Sequence, residues 1–462
     1  MEIYTFTYGY IPVELWEYPA FLFLVVLILI WAYRVKQRNI RKNSSYRFFI
    51  PGLLVKIIGG LSFAFIYTLY YNGGDTINYY QTARAFVNLL EQDPNSFLQA
   101  YFGGGTAEIR SLFNHNTGYP MGTYFFNDRT RAMMKILVPF MIIGGKSYFI
   151  ATLWLSTFTY AGLWRLYQVF IGYFPQFQRN LAVAILFMPS VVFWGSGILK
   201  DSVTLAATCY FIEATNDFTL KQGNAFSKTI RILLSSAIII LLKPYILIVL
   251  LPGTLIWFFY ARIKKIKNRY FRTVIVPFSY VFILSTSYLL LTQLSDSLGK
   301  FAPEKALETA VVTQKDLKQE YYKGNSFDIG DFDASYTSLA SKFPAAVTAG
   351  LFRPFIWESK NLVMLLSGLE NTFILFMTLL VLIRIRWRLM WRLIADHPII
   401  LYSLIFAILF AFMIGITTSN FGALVRFKIP LIPIYMASIM IMYSHLTSFR
   451  IKKGKQKFLW VK

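Results

Sequence analysis

The stretch Tyr18–Arg47, YPAFLFLVVLILIWAYRVKQRNIRKNSSYR, decides the fold class of this chain. An apolar run from Tyr18 to Tyr33 is followed by several basic residues and no acid. Loops on the cytoplasmic side of a membrane are rich in Lys and Arg, so the stretch predicts a transmembrane helix that ends in the cytoplasm. The N-terminus then lies outside. Because no Lys or Arg precedes the apolar run, we do not expect a cleaved secretory signal.

The composition extends the membrane prediction to the whole chain. Of the 462 residues, 56% are hydrophobic and only 15% are charged, whereas about 25% of the residues of a soluble domain are charged. The net charge of +24 would suggest nucleic acid in a soluble protein, but the basic residues lie in short runs beside apolar segments. We therefore predict a multi-pass protein that contacts membrane lipid and has no nucleic-acid partner.

Apolar segments recur along the chain and predict an all-α bundle of about eleven transmembrane helices. The basic runs that follow the spans agree on a cytoplasmic C-terminus. We expect the membrane to be a bacterial inner membrane. The third span, within Met133–Phe170, is expected to break at Gly144-Gly145. The predicted spans are 18–33, 49–71, the third within 133–170, 181–194, 202–214, 232–242, 245–260, 273–294, 362–383, 399–416 and 429–443.

Two polar outer regions of about 60 residues each divide the chain, and connections of that length are usually functional. Residues 1–47 form an additional N-terminal helix with its basic cytoplasmic loop. Residues 48–294 form a transmembrane module that contains the first outer loop, 72–131. The second outer loop, 295–360, is rich in acids, and residues 361–462 supply the last helices and a basic tail.

The sequence contains few residues of the kinds that bind metals or carry out thiol chemistry. The one cysteine, Cys209, lies in an apolar stretch and cannot form an internal disulfide. The three histidines are far apart in sequence, so no zinc site is expected and no metal ligands are assigned. A divalent cation held by carboxylates and a phosphate stays open as a cofactor.

The first outer loop opens with the sequence YNGGDTINYY at Tyr71–Tyr80. Apolar residues from Tyr79 onward recur at helical spacing, which predicts an amphipathic helix on the outer membrane interface. Asp75, at the start of that helix, can serve as a general base for a sugar hydroxyl. The alternative, which the local sequence alone favours, is a turn in which Asp75 caps the helix.

Lys200-Asp201 lies in a turn between two short apolar segments. Charged residues at this depth need a partner or a polar cavity. Lys200 can face a phosphate and Asp201 can orient a donor; equally, the two can form an internal ion pair, with Asp201 capping the next helix. Lys243 occupies a similar outer turn, and we interpret it as a lysine that snorkels to the membrane surface.

Further charged residues are predicted at the outer ends of the last helices. Arg353 and Arg426 suit a phosphate headgroup, because arginine binds phosphate through a planar fork. The alternatives are contact with ordinary lipid headgroups and, for Arg353, pairing with Glu358. Glu370 lies in an otherwise apolar segment and is a functional candidate for that reason. For Arg426 we favour phosphate binding, whereas for Lys428 we favour contact with ordinary lipid headgroups or pairing with Glu358.

This pattern resembles the C-fold (GT-C) integral membrane glycosyltransferases. The matching elements are the Gly74-Asp75 motif with Tyr79-Tyr80, the Lys200-Asp201 hairpin, the segment FRPF at 352–355 and the segment GALVRFKIP at 422–430. The chain departs from the family by its additional N-terminal helix and by the lack of a second acid next to Asp75. The resemblance implies two large outer loops with in-plane helices.

The resemblance also implies the site. Asp75 would be the catalytic base, and Arg426, Arg353 and Lys200 would hold the donor phosphate. Asp201, Tyr79, Glu358 and Glu370 would support them. The expected enzyme transfers a sugar from a polyprenyl-phosphate donor to an envelope glycan or glycolipid acceptor on the outer face. The alternatives are a polymerase of lipid-linked oligosaccharides and a flippase or transporter of a lipid-linked sugar; a structural subunit of an envelope complex also stays open.

Overall fold

The computed structural model describes residues 5–8, 10–221, 223–264, 308, 311–312, 315–316, 326–330, 332–333 and 335–459. The predicted span 273–294 and much of the predicted second outer loop lie outside these residues. The chain divides into two compact units. Unit 1 comprises residues 1–164, 192–209 and 237–243, and unit 2 comprises residues 165–191, 210–236 and 244–462.

The described residues are predominantly helical, with one antiparallel hairpin of β1 (Thr5–Tyr8) and β2 (Ile11–Glu14). Up to residue 264 the helices are α1 (Glu17–Asn39), α2 (Phe49–Phe65), α3 (Asp75–Gln92), α4 (Pro94–Phe102), α5 (Ala107–Arg110), α6 (Gly122–Phe126), α7 (Asp128–Ile143), α8 (Tyr148–Tyr173), α9 (Gln178–Leu186), α10 (Pro189–Phe193), α11 (Lys200–Thr219), α12 (Ala225–Leu242) and α13 (Pro244–Lys264). After residue 326 they are α14 (Tyr336–Ser341), α15 (Phe343–Phe352), α16 (Leu362–Arg384), α17 (Trp387–Asp396), α18 (Pro398–Thr417), α19 (Phe421–Phe427) and α20 (Leu431–Leu459).

Five helical segments of the described chain are long and apolar enough to cross a membrane, or up to seven if each of two bent pairs counts as one span. The five are Glu17–Asn39, Ser44–Tyr70, Ala225–Leu242, Leu362–Arg384 and Pro398–Thr417. The protein is therefore a helical protein with several candidate membrane spans. The count of eleven helices stays a prediction.

The break expected in the third span is confirmed. Helices α7 and α8 meet at an angle of 109°, and the chain turns through Gly144, Gly145 and Lys146. Gly145 has a φ of 58°, a left-handed conformation that glycine adopts without the steric cost of a Cβ atom. The segment predicted as one span over 181–194 is instead two short helices, α9 and α10. Pro189 starts the second helix, because a proline lacks the N–H that would continue the first.

The core of unit 1 forms where α3 packs against α7. The apolar stripe of α3, including Tyr79, Ala83, Phe86 and Val87, is buried in this core. The amphipathic helix predicted after Asp75 is thus present, and its apolar face contacts protein. This packing fixes the position of the first turn of α3, where Asp75 lies.

In unit 2, α18 packs against α13 and α15, and α20 packs against α9. Glycines allow the contact between α15 and α18: a Cβ atom added at Gly415 would lie 2.0 Å from the carbonyl oxygen of Ala346, and one at Gly350 would lie 2.1 Å from that of Ala411. Small residues let membrane helices approach at backbone distance. The close approach holds α15 firmly, and the arginine that follows it, Arg353, begins the site of unit 2.

Candidate functional site

Asp75 is the first residue of α3, and the position before it can hold only a glycine. Gly74 has a φ of 100°, and a Cβ atom there would lie 2.9 Å from Cε1 of Tyr67. Gly74, not Asp75, occupies the N-cap position, without a side-chain cap bond. The Asp75 carboxylate therefore lies in the first turn, where the partial positive charge of the helix N-terminus favours an anion.

The Asp75 carboxylate is held by a tyrosine that the sequence did not single out. The hydroxyl of Tyr124 donates a hydrogen bond of 2.7 Å to Oδ1 of Asp75. Tyr124 lies on the short helix α6, and its ring meets the ring of Tyr79 edge to face, with centroids 5.6 Å apart. Because 49 residues separate the bonded pair, no local pattern could reveal it.

Lys200 lies near the buried Tyr79 ring. Its ammonium nitrogen is 6.0 Å from the ring centroid, at the outer limit of a cation–π contact. Tyr124 thus connects Asp75 to Tyr79, and Lys200, which was proposed from a separate stretch of sequence, lies near the same Tyr79 ring in unit 1. Burial raises the pKa of the adjacent Tyr80 to about 12.

From the sequence, the neighbouring Lys200 was the suggested ion-pair partner of Asp201, but the partner in the structure is Lys243. The Asp201 carboxylate, 1% exposed, forms a buried ion pair with Lys243. The pair joins the start of α11 to the residue between α12 and α13. Ser202 fixes the same turn by donating a hydrogen bond of 2.6 Å to the carbonyl of Gly197. Asp201 and Lys243 therefore act together as a structural clamp, a pairing that the interpretation of Lys243 as a snorkelling lysine missed.

In unit 2, Arg353 forms the pair with Glu358 that one of the two interpretations predicted. Its Nε lies 3.0 and 3.2 Å from the two carboxylate oxygens, and a second guanidinium nitrogen also donates to Glu358. The guanidinium stacks over the ring of Phe327 at 4.7 Å and over that of Phe421 at 5.5 Å. Most of the hydrogen-bonding capacity of the Arg353 guanidinium is thus directed at Glu358.

Lys428 is buried and holds the backbone beside that pair. Its ammonium donates a 2.9 Å hydrogen bond to the carbonyl of Arg353 and a second bond to the side chain of Asn371. Asn371 in turn donates to the carbonyl of Pro354 at 3.1 Å. These bonds give Lys428 a structural role within the protein, in place of the lipid-headgroup contact favoured from the sequence, and Asn371 is a partner that sequence reasoning did not find.

Glu370 is buried in α16, one residue before Asn371. It accepts hydrogen bonds of 2.8 Å from both the backbone N–H and the hydroxyl of Ser190, at the start of α10. Lys428 interacts with it electrostatically. Glu370 therefore fastens α10 to α16. Arg426 lies half-buried on α19, two residues before Lys428.

No three His, Cys, Asp or Glu side chains come together as metal ligands within the described part of the chain. The chain matches no family model, no curated protein and no solved structure.

Proposed function

We propose that this protein is a membrane glycosyltransferase of the C-fold type. It would transfer a sugar from a polyprenyl-phosphate donor to an envelope glycan or glycolipid on the outer face of a bacterial inner membrane. The observation that carries the proposal is the Asp75 carboxylate, which lies just after a candidate span, is held by Tyr124, and is linked through the Tyr79 ring to the cation of Lys200.

The proposed reaction needs a base and a cation, and unit 1 supplies both. Asp75 takes the proton of an acceptor hydroxyl, and the hydroxyl oxygen attacks the anomeric carbon of the donor sugar. The bond from that carbon to the phosphate oxygen breaks, and polyprenyl phosphate leaves with the electron pair. Lys200 stabilises the negative charge that grows on the phosphate. Tyr124 keeps the carboxylate in position.

The arginines of unit 2 divide into two roles under this proposal. Arg353 is engaged by Glu358, so its main effect is to shape the loop before α16. Arg426, half-buried on α19, keeps the role of donor-phosphate ligand that the resemblance to the C-fold enzymes implies, because its planar guanidinium suits a phosphate. About eleven spans, two outer loops and an outside N-terminus complete the proposed architecture.

The direct test uses purified protein in phospholipid nanodiscs with a panel of polyprenyl-phosphate hexoses and a membrane-glycan extract as acceptor. Release of polyprenyl phosphate is followed by mass spectrometry. The wild type should release it with one hexose, and Lys200→Gln should slow release by about 100-fold, as expected when a group that stabilises a transition-state charge is lost. Lys146→Gln, a surface lysine paired with Glu91, is the matched control and should retain the wild-type rate. Equal rates for both variants would contradict the role of Lys200.

A transporter of a lipid-linked sugar is the second candidate, and the bent helix pairs favour it. Broken helices are common at the binding sites of secondary transporters, and α7–α8 and α19–α20 are both bent, by 109° and 66°. The two proposals differ in the nanodisc assay. A transporter leaves the sugar–phosphate bond intact, whereas a transferase breaks it.

A further inference from the structure

The helices on either side of α17 restrict where it can lie relative to the membrane. It connects α16 to α18, and both of these helices are candidate membrane spans. Only Ile385 and Arg386 separate it from α16, and only His397 separates it from α18. A short helix between two consecutive spans lies at one surface of the membrane.

The side chains of α17 are sorted into three faces by their spacing of four residues, because residues i and i+4 lie on the same side of a helix. Leu389 and Leu393 form the first face, and Leu393 is buried against the protein. Arg388 and Arg392 form the second face. Trp387 and Trp391 form the third face, and 66% and 50% of their surface is exposed. The centroids of their two rings lie 5.2 Å apart.

The arginine face belongs to a larger exposed cluster of positive charge. Four arginines in and before α17 are exposed: Arg384, Arg386, Arg388 and Arg392. None of the four forms an ion pair with an acid in the part of the chain that the structure describes. The exposed tryptophans beside them offer amphipathic rings of the kind that settle at the level of lipid headgroups.

We propose that α17 is a binding site for an anionic phospholipid of the cytoplasmic leaflet. Arg388 and Arg392 would grip the lipid phosphate through their planar forks, and Trp387 and Trp391 would lie against the glycerol backbone and upper acyl chains. The excess of arginine places this surface on the cytoplasmic side. The site is independent of the glycosyltransferase proposal, since it uses none of the residues named there.

The proposal is tested with the purified full-length protein and two phospholipids that share the same acyl chains, phosphatidylglycerol and phosphatidylcholine. Native mass spectrometry measures the apparent Kd of each lipid. The double variant Arg388→Gln/Arg392→Gln should bind phosphatidylglycerol about 30-fold more weakly, at about one kcal/mol for each basic residue near a lipid surface. Its affinity for phosphatidylcholine should fall by less, because the choline cation of that lipid offsets the charge of its phosphate. The double variant Arg38→Gln/Arg41→Gln removes the same charge from two exposed arginines of another basic run and should bind like the wild type.

Two outcomes would overturn the proposal. An equal loss in both double variants would mean that only the net charge matters, and no loss in either would mean that α17 binds no anionic lipid. If the glutamine variant does not fold, Arg388→Lys/Arg392→Lys keeps both charges and loses the planar forks. It should bind phosphatidylglycerol several-fold more weakly than the wild type, and unchanged binding would count against the proposed phosphate contact.

Discussion

Removing one partner of the Asp201–Lys243 pair should destabilise the protein far more than removing both. Asp201 is 1% exposed and Lys243 is 10% exposed at the side chain, so either charge left alone would be buried without its counter-ion. Breaking such a pair costs about 3–5 kcal/mol, whereas replacing both partners by uncharged residues is often nearly neutral. We therefore expect Asp201→Asn and Lys243→Met each to lower the free energy of unfolding by about 3–5 kcal/mol. The double variant should lose less than either single variant.

Steric trapping in detergent micelles measures these free energies without heating the protein. The control is the exposed pair of Lys146 and Glu91, whose side chains are 32% and 56% exposed. Disrupting an exposed pair should cost about 0–1 kcal/mol. If the losses of Asp201→Asn and Lys243→Met simply add in the double variant, the two residues are not coupled and the clamp does not exist.

Three further substitutions test individual contacts. Tyr124→Phe removes the hydrogen bond to Asp75 and should lower sugar transfer about tenfold, the loss that corresponds to roughly one hydrogen bond, while thermal stability stays near wild type. Glu370→Leu leaves a buried backbone N–H without its acceptor and should cost about 1–3 kcal/mol of unfolding free energy; Glu370→Gln should cost less, because its amide can still accept one bond. Gly197→Ala would place a Cβ 2.1 Å from a phenylalanine ring and should cost about 1–3 kcal/mol, whereas Gly172→Ala, which meets open space, should not.

The membrane character and the break between α7 and α8 could be predicted from the sequence because each rests on a local signal. Apolar runs of spanning length and the Gly144-Gly145 pair are read from neighbouring residues. The amphipathic spacing after Asp75 predicted α3 in the same way. The same spacing could not show that the apolar face of α3 packs on α7. A helix that packs against protein and a helix that lies in a membrane interface both need one apolar face.

The candidate residues were found more readily than their partners. A charged residue in or between apolar segments is easily recognised, which is how Asp201 and Glu370 were identified. Lys428 was identified as a basic residue on the outer side, where basic residues are normally few. Their partners lie far away in the chain: Lys243 is 42 residues from Asp201, and Ser190 is 180 residues from Glu370. Serine, asparagine and tyrosine are also ordinary residues in a membrane helix, so nothing in the local sequence distinguishes the ones that bond to a buried charge.

The most direct test of the proposed function replaces Asp75 in cells. A strain that lacks the gene is complemented with wild type, Asp75→Asn or Asp93→Asn at matched membrane levels, and surface glycans and glycolipids are compared by mass spectrometry. Asp93 accepts a bond from the backbone of Asn95 at the N-terminus of α4, and asparagine caps a helix equally well, so this control should restore the wild-type profile. If Asp75 is the catalytic base, wild type restores a missing sugar and Asp75→Asn does not. Full restoration by Asp75→Asn would contradict a transferase with this carboxylate as its base.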